Sequence, residues 1–157
     1  MGQISVTKVI QAPPAIVFQA IADVPNLSNA VPYIKEIEIL SDTQSGVGTR
    51  FRETRVMHGK EYITVLEVTE YSQDDHVRMV ADEGGTVWDS LFQLIPRGDG
   101  TRLEMTMESR PYKWTSKIVT PLIQSIVQRG VEVNMDCVKK YCEELCSPEA
   151  DDEESDS

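Results

Sequence analysis

Two charged residues in an otherwise apolar strand are the first candidates for chemistry. Glu53 and Arg55 alternate with Phe51 and Met57, so the period of a strand places all four side chains on one inward face. Burying either charge alone costs much free energy, whereas a pair can be buried and can orient the polar end of a ligand. The alternative is that the middle of this strand is exposed and both side chains are solvated.

The same two residues are the candidates for catalysis. A carboxylate and a guanidinium group in a dry pocket can act as acid, base or enol stabiliser, with Tyr62 or Tyr112 as a further polar group. The sequence contains no Ser-His-carboxylate arrangement at a diagnostic spacing, because His58 falls in a turn and His76 at the start of a strand. An enzyme is therefore an open alternative, and its residues would be Glu53 and Arg55.

The three cysteines predict no metal or cofactor site. Cys137, Cys142 and Cys146 lie on or just after one long helix, and no histidine is near them in sequence to complete a set of ligands. An odd number of cysteines without a secretion signal is typical of free thiols in a reducing compartment. We expect neither metal nor cofactor.

The apolar positions of the strands predict the wall of a pocket. Their inward phase contains many methionines, which suit either a gap-filled core or a cavity that adapts to an irregular hydrophobic ligand. Both interpretations stay open at this point. The candidate ligand-binding residues are Phe51, Arg55, Met57, Met79, Trp88, Ser90, Phe92, Met105 and Met107 on strands, with Gly130 and Met135 on the long helix.

The long helix is predicted over residues 120–145. Its expected buried stripe is formed by Leu122, Ile126, Val133, Cys137, Tyr141 and Leu145. Thr120 is the expected N-cap and Pro121 the first helical residue; alternatively, a helical turn over 114–119 precedes them and Pro121 marks a kink. Gly130 in mid-helix indicates either close packing of a neighbouring element or space left for a ligand.

These residues require a sheet to position them. Alternating runs bounded by turn residues predict strands over 3–10, 34–40, 47–57, 60–71, 76–81, 86–95 and 101–109. The short turns make neighbouring strands antiparallel, and two short helices follow the first strand. The predicted fold is α+β, with about seven mostly antiparallel strands wrapped around the long C-terminal helix.

Length and charge limit the classes of function. A chain of 157 residues with net charge −11 predicts one domain over 1–146 and a disordered acidic tail over 147–157. Six carboxylates lie in that tail, so the remaining chain carries −5, which argues against nucleic-acid binding. The sequence has no long apolar run and no hydrophobic signal core at its N-terminus. We therefore expect a cytoplasmic protein with no stable membrane insertion.

Four stretches resemble the START-like superfamily, also called SRPBCC or helix-grip. They are Ala12-Pro13-Pro14-Ala15-Ile16-Val17-Phe18, Gly46-Val47-Gly48-Thr49-Arg50, Leu94-Ile95-Pro96 with Gly98-Asp99-Gly100-Thr101-Arg102-Leu103, and the long C-terminal helix. The superfamily includes polyketide cyclases and dehydrases, lipid-transfer domains and pollen-allergen-like proteins. The resemblance implies a deep apolar cavity between the sheet and the helix, and only some members are catalytic.

Three functional hypotheses follow. The first is a domain that carries or sequesters a lipid, polyketide, quinone or similar hydrophobic molecule. The second is a cyclase or dehydratase that uses Glu53 and Arg55. The third is a module whose groove receives an apolar segment of a protein partner.

Overall fold

The computed structural model describes residues 2–147. The predicted acidic tail therefore lies outside the described residues, apart from Ser147. The strands are β1 (Gly2–Ile10), β2 (Ile34–Ile39), β3 (Arg50–Met57), β4 (Lys60–Ser72), β5 (His76–Glu83), β6 (Thr86–Arg97) and β7 (Gly100–Pro111). The helices are α1 (Pro14–Ala22), α2 (Leu27–Ala30), which follows a 3-10 turn at Val24–Asn26, and α3 (Trp114–Leu145).

The seven strands form one antiparallel sheet in the order β1-β7-β6-β5-β4-β3-β2. Residues 40–49 connect β2 to β3 and short turns join β3 through β7, so β2 to β7 form a meander, and β1 pairs with β7 at the far edge. His58 and Gly59, both at positive φ, make the tight turn between β3 and β4, a backbone shape that matches the twist of a hairpin. The sheet and the two short helices confirm the predicted α+β architecture.

One face of the sheet carries the core. Ile4 and Val6 on β1, Leu103 and Met105 on β7 and Val77 on β5 are all buried on this concave face. A shift of register between Val68 and Glu70 then breaks the alternation of β4. After it, Tyr71 packs edge-on against Phe18 of α1, with ring centroids 5.1 Å apart. Helix α1 therefore closes one end of the concave face.

The start of α3 differs from the prediction. The helix begins at Trp114 and continues through Pro121, so Thr120 is not its N-cap. The alternative with an earlier helical turn is the one observed. The Thr120 hydroxyl instead lies 2.9 Å from the Thr86 hydroxyl of β6, and both residues are buried. A contact between distant parts of the chain therefore uses the hydroxyl that the sequence suggested for capping.

Polar contacts hold α3 along the edge strand β1. An ion pair joins Lys8 to Asp136 at 2.7 Å. The Lys139 ammonium donates a hydrogen bond to the Val9 carbonyl at 2.6 Å. Just after β1, the Gln11 N–H donates a hydrogen bond to the Glu143 carboxylate at 2.9 Å. The main packing partners of α3 are β1, α1, α2 and β7. The helix therefore lies against one side of the concave face, and the strands β3 to β6 face it from the other side.

The predicted buried stripe of α3 is wrong in phase. Leu122, Ile126, Val133 and Leu145 are exposed, and Cys137 and Tyr141 are only half-buried. The residues that the helix buries are Ser116, Thr120, Val131, Met135, Val138 and Cys142. The helix is apolar on more than one side, so periodicity alone could not choose the face that packs on the sheet.

This phase predicts a large difference between two truncations on α3. Met135→Ala removes a fully buried side chain and should lower the free energy of unfolding by about 2–5 kcal/mol. Leu122→Ala truncates a side chain on the outer face and should change it by less than about 0.5 kcal/mol. Urea denaturation followed by circular dichroism measures both. Equal losses would mean that the outer face of α3 is buried in solution.

Candidate functional site

The strand register brings the predicted lining residues onto one concave surface. Ser90 on β6 lies opposite Met79 on β5 and Met107 on β7. Phe92 lies opposite Val77 and Met105 in the same way, and Trp88 lies opposite Ala81 and Ser109. Phe51, Met79, Ser90 and Met105 are buried, whereas Met57, Trp88, Phe92 and Met107 are partly accessible. The candidates thus form a continuous, mostly apolar wall, and their contact with a ligand stays a prediction.

Glu53 and Arg55 form an ion pair within this wall. The Arg55 Nε donates to the Glu53 carboxylate, and an Arg55 terminal nitrogen donates to Asn134 Oδ1 of α3 at 3.0 Å. The Glu53 side chain is 10% exposed and that of Arg55 is 27% exposed. The alternative of two independently solvated side chains is therefore wrong. The pair also connects β3 to α3 across the concave side of the molecule.

The guanidinium group keeps donors for another partner. Two of its N–H groups are used by Glu53 and Asn134, and a guanidinium group offers more than two. The remaining donors can reach a carbonyl or carboxylate oxygen, which are the acceptors that suit a planar fork. Arg55 thus has hydrogen-bond donors beyond these two bonds within a mostly apolar wall, and its contact with a ligand stays a prediction.

The two tyrosines considered for chemistry lie in different places. Tyr62 on β4 is directly opposite Arg55 in the sheet register, so the structure brings it beside the ion pair. Tyr112 follows β7, where its hydroxyl donates to Asp82 at 2.8 Å. This hydrogen bond raises the pKa of Tyr112. Tyr112 is engaged at the β7–α3 junction, so Tyr62 is the better candidate.

Gly130 does not serve close packing. A methyl group built on it would meet no atom within 4 Å outside the helix's own neighbouring backbone. Gly130 precedes Asn134 by one helical turn, so both lie on the side of α3 that faces β3. The interpretation as a packing glycine is therefore wrong. The structure leaves open space at Gly130, one helical turn before the Asn134 that Arg55 contacts.

The three cysteines have different environments. Cys142 is fully buried, and burial raises its pKa to about 12. Cys137 is half-buried, and burial raises its pKa as well, while Cys146 is exposed. The described residues contain no group of three His, Cys, Asp or Glu side chains arranged to hold a metal ion.

These environments predict the order of alkylation. At pH 8 iodoacetamide should modify Cys146 first, Cys137 more slowly and Cys142 least, because the reactive species is the exposed thiolate. Intact-mass spectrometry with peptide mapping follows the reaction. All three cysteines should react equally in urea. Rapid modification of Cys142 in the native protein would contradict its burial.

The opposite, convex face of the sheet has a network of ion pairs. Asp89 on β6 accepts from Arg78 at 2.9 Å and from Arg110 at 3.1 Å, and these arginines also pair with Glu70 and Glu108. The hydrogen bond to Glu70 raises the pKa of Arg78. Both oxygens of the Asp89 carboxylate therefore have partners on the convex face, whereas the neighbouring residue Ser90 lies on the concave face.

The sequence interpretation does not include three residues of this surface. Asn134 is absent from it because only apolar positions of the helix are assigned to the inner side, although its spacing from Gly130 is a usable signal. On β4, Thr64 and Leu66 lie opposite Glu53 and Phe51 and extend the wall beyond Tyr62, which the sequence already suggests. Their alternation with Tyr62 in the sequence carries this information too.

Comparisons with known proteins give a consistent result. The family described as polyketide cyclase/dehydrase and lipid transport matches residues 1–143. No curated protein matches the sequence significantly. A START superfamily protein from Mycobacterium smegmatis superposes with a TM-score of 0.71 at 16% identity, covering 91% of this chain and 98% of that one.

Two similar structures have names that indicate enzymes. A norcoclaurine synthase point mutant from Thalictrum flavum gives a TM-score of 0.72 at 18% identity and covers 93% of this chain and 96% of that one. The di-domain ARO/CYC StfQ of the steffimycin biosynthetic pathway gives 0.75 at 9% identity, covering 92% of this chain and 51% of that one. Identities this low show a shared fold alone.

Proposed function

Because the chain belongs to the polyketide cyclase/dehydrase and lipid transport family, we propose that it binds a hydrophobic small molecule between its concave sheet face and α3. The observation that carries the proposal is the ion pair of Glu53 and Arg55 in a mostly apolar wall, which contacts Asn134 one helical turn from the open space at Gly130. In a packed core, nothing would offset the cost of placing a guanidinium group whose donors are only partly bonded. In a pocket, those donors can bind the polar end of an amphiphilic molecule.

The wall and the pair predict the shape of the ligand. Partly accessible aromatic and methionine side chains, Trp88, Phe92 and Met107, would contact an extended or fused-ring apolar body. Arg55 would donate to a carbonyl, carboxylate or quinone oxygen at one end. Lipids with an acidic head, polyketides and quinones share this combination.

The experiment is native mass spectrometry of the purified protein, followed by solvent extraction of anything bound. A near-stoichiometric apolar compound with an oxygen-bearing end would support the proposal and identify the class of ligand. A ligand-free mass together with no uptake from a panel of fatty acids, quinones and aromatic polyketides would contradict it.

A second candidate function is a cyclase or dehydratase activity at the same place. The position of Tyr62 opposite Arg55 favours it, because a carboxylate, a guanidinium group and a phenol are then adjacent. Glu53 would accept a proton from the carbon next to a ligand carbonyl, and Arg55 would stabilise the enolate that forms. Incubation with poly-β-keto substrates and product analysis tests this candidate, with Glu53→Gln as the inactive variant.

A further inference from the structure

The segment from the end of β7 through the first half of α3 has a net charge opposite in sign to that of the whole protein. The chain carries −11, yet residues 110–131 contain Arg110, Lys113, Lys117 and Arg129 and no Asp or Glu. Within the described residues, no carboxylate forms an ion pair with Lys113, Lys117 or Arg129, whereas Arg110 pairs with Asp89 and Glu108. This segment is therefore a cationic surface on an acidic molecule.

The same segment exposes large apolar side chains. Trp114, Ile118, Leu122 and Ile126 recur every four residues, and Val119 lies beside them. Trp114 is 75% exposed, Leu122 73% and Ile126 66%. We call these five residues the outer stripe. The burial of Ser116, Thr120 and Val131 against the sheet fixes the opposite side of α3 as the inner one.

We infer that the outer stripe docks on the surface of an anionic lipid membrane. A helix with exposed large apolar residues, flanking lysines and a tryptophan at one end lies flat in the interface between lipid headgroups and acyl chains. Each lysine near an anionic bilayer adds attraction, while the acidic remainder of the protein orients away from the surface. The described residues contain no helix long and apolar enough to cross a membrane, so the association is peripheral.

A cleft with basic residues lies between the first half of α3 and the end of β7. It has a volume of about 530 Å³ and is lined by Lys117, Arg110, Ser109, Thr120 and Gln124, among others. Its lining residues Lys117 and Pro121 directly precede Ile118 and Leu122 in the sequence, so the cleft lies on the same stretch of α3, on the side towards β7. This stretch thus carries exposed apolar residues on one side and a cleft with basic residues on another.

A second copy of the chain fits this surface poorly. Two-fold packing through the outer stripe would place Lys113, Lys117 and Arg129 of one copy near the same cations of the other, since the segment provides no carboxylate for them. An anionic surface removes this repulsion. Charge complementarity therefore selects the membrane as the occupant.

Vesicle sedimentation tests the inference with the full chain. The protein should bind phosphatidylcholine vesicles that contain phosphatidylglycerol, bind pure phosphatidylcholine vesicles much less, and dissociate as salt is raised. The fluorescence of Trp114 should shift to the blue on binding. Trp114→Phe removes this signal and leaves the emission of the half-buried Trp88 as an internal reference.

Matched variants test whether vesicle binding depends on the outer stripe and its lysines. Leu122→Ser with Ile126→Ser should lower the partition coefficient more than about tenfold. Lys113→Gln with Lys117→Gln should lower it about fivefold per lysine. The control is Val47→Ser with Ile63→Ser, which changes equally exposed apolar residues outside α3 and should leave binding unchanged. Circular dichroism checks that each variant is folded.

Three outcomes would overturn the inference. They are no binding to anionic vesicles at low salt, equal loss in the control variant, and a concentration-dependent dimer that the Leu122→Ser, Ile126→Ser variant abolishes. Because the outer stripe shares no residue with the concave wall, its variants leave the proposed ligand pocket unchanged, and failure of the inference can be told from failure of the proposed ligand binding.

Discussion

Arg55→Met should lower the free energy of unfolding by about 3–5 kcal/mol, the cost of leaving a buried carboxylate without its partner. Glu53 is 10% exposed, and its carboxylate accepts from Arg55, so the variant leaves the negative charge in an apolar wall. Urea denaturation at pH 8 measures the loss.

The variant Glu53→Gln should lower the free energy of unfolding less than Arg55→Met does. Glu53→Gln keeps a side-chain oxygen that can accept from Arg55, and the guanidinium group retains Asn134 and its own exposure to water. The double variant Glu53→Gln, Arg55→Met removes both charges and should recover most of the stability lost in Arg55→Met. Additive losses in the double variant would show that the two residues do not interact in solution.

The same variants separate the two candidate functions. A carrier that holds its ligand mainly by apolar contact should keep most of its binding in the double variant, losing only the contribution of the polar end. An enzyme that uses the pair should lose turnover. Stability is measured first, because a double variant that is unfolded reports on neither function.

Much of the sheet could be predicted from the sequence because local signals and the final structure agree. Turn residues such as His58-Gly59 and Gly84-Gly85 separate alternating runs, and each run became a strand with ends within three residues of its predicted bounds. The alternation of Phe51, Glu53, Arg55 and Met57 also placed the ion pair on the concave face. A period of two leaves only two faces to choose between.

The buried face of α3 was harder to predict, because the helix is apolar on two sides. Leu122 and Ile126 face outward while Val131 and Val138 face the sheet, and both sets have helical spacing. The inner side also uses small or polar residues, Ser116 and Thr120, at its closest approach to the β5–β6 hairpin. No local pattern marks such residues as buried, since the contacts that bury them come from residues 84–86.

Substitution of Gly130 should separate the pocket from the packing of α3. Gly130→Ala should raise the free energy of unfolding by about 0.5–1 kcal/mol, because alanine favours the helix and its methyl group meets no neighbouring atom. Gly130→Phe should instead fill the open space at Gly130 and weaken binding of an apolar probe, such as anilinonaphthalene sulfonate, by about tenfold or more. Fluorescence titration measures the binding and urea denaturation the stability.

Ser125→Phe is the matched control for this substitution. It adds the same ring to α3 at an exposed position and should leave probe binding in the pocket unchanged. If Gly130→Phe and Ser125→Phe bind the probe equally well, the space at Gly130 is not part of the binding site. If Gly130→Ala destabilises the protein, the space is occupied in solution. The predicted combination, a more stable alanine variant and a phenylalanine variant that no longer binds, arises only when the missing side chain leaves room that a ligand uses.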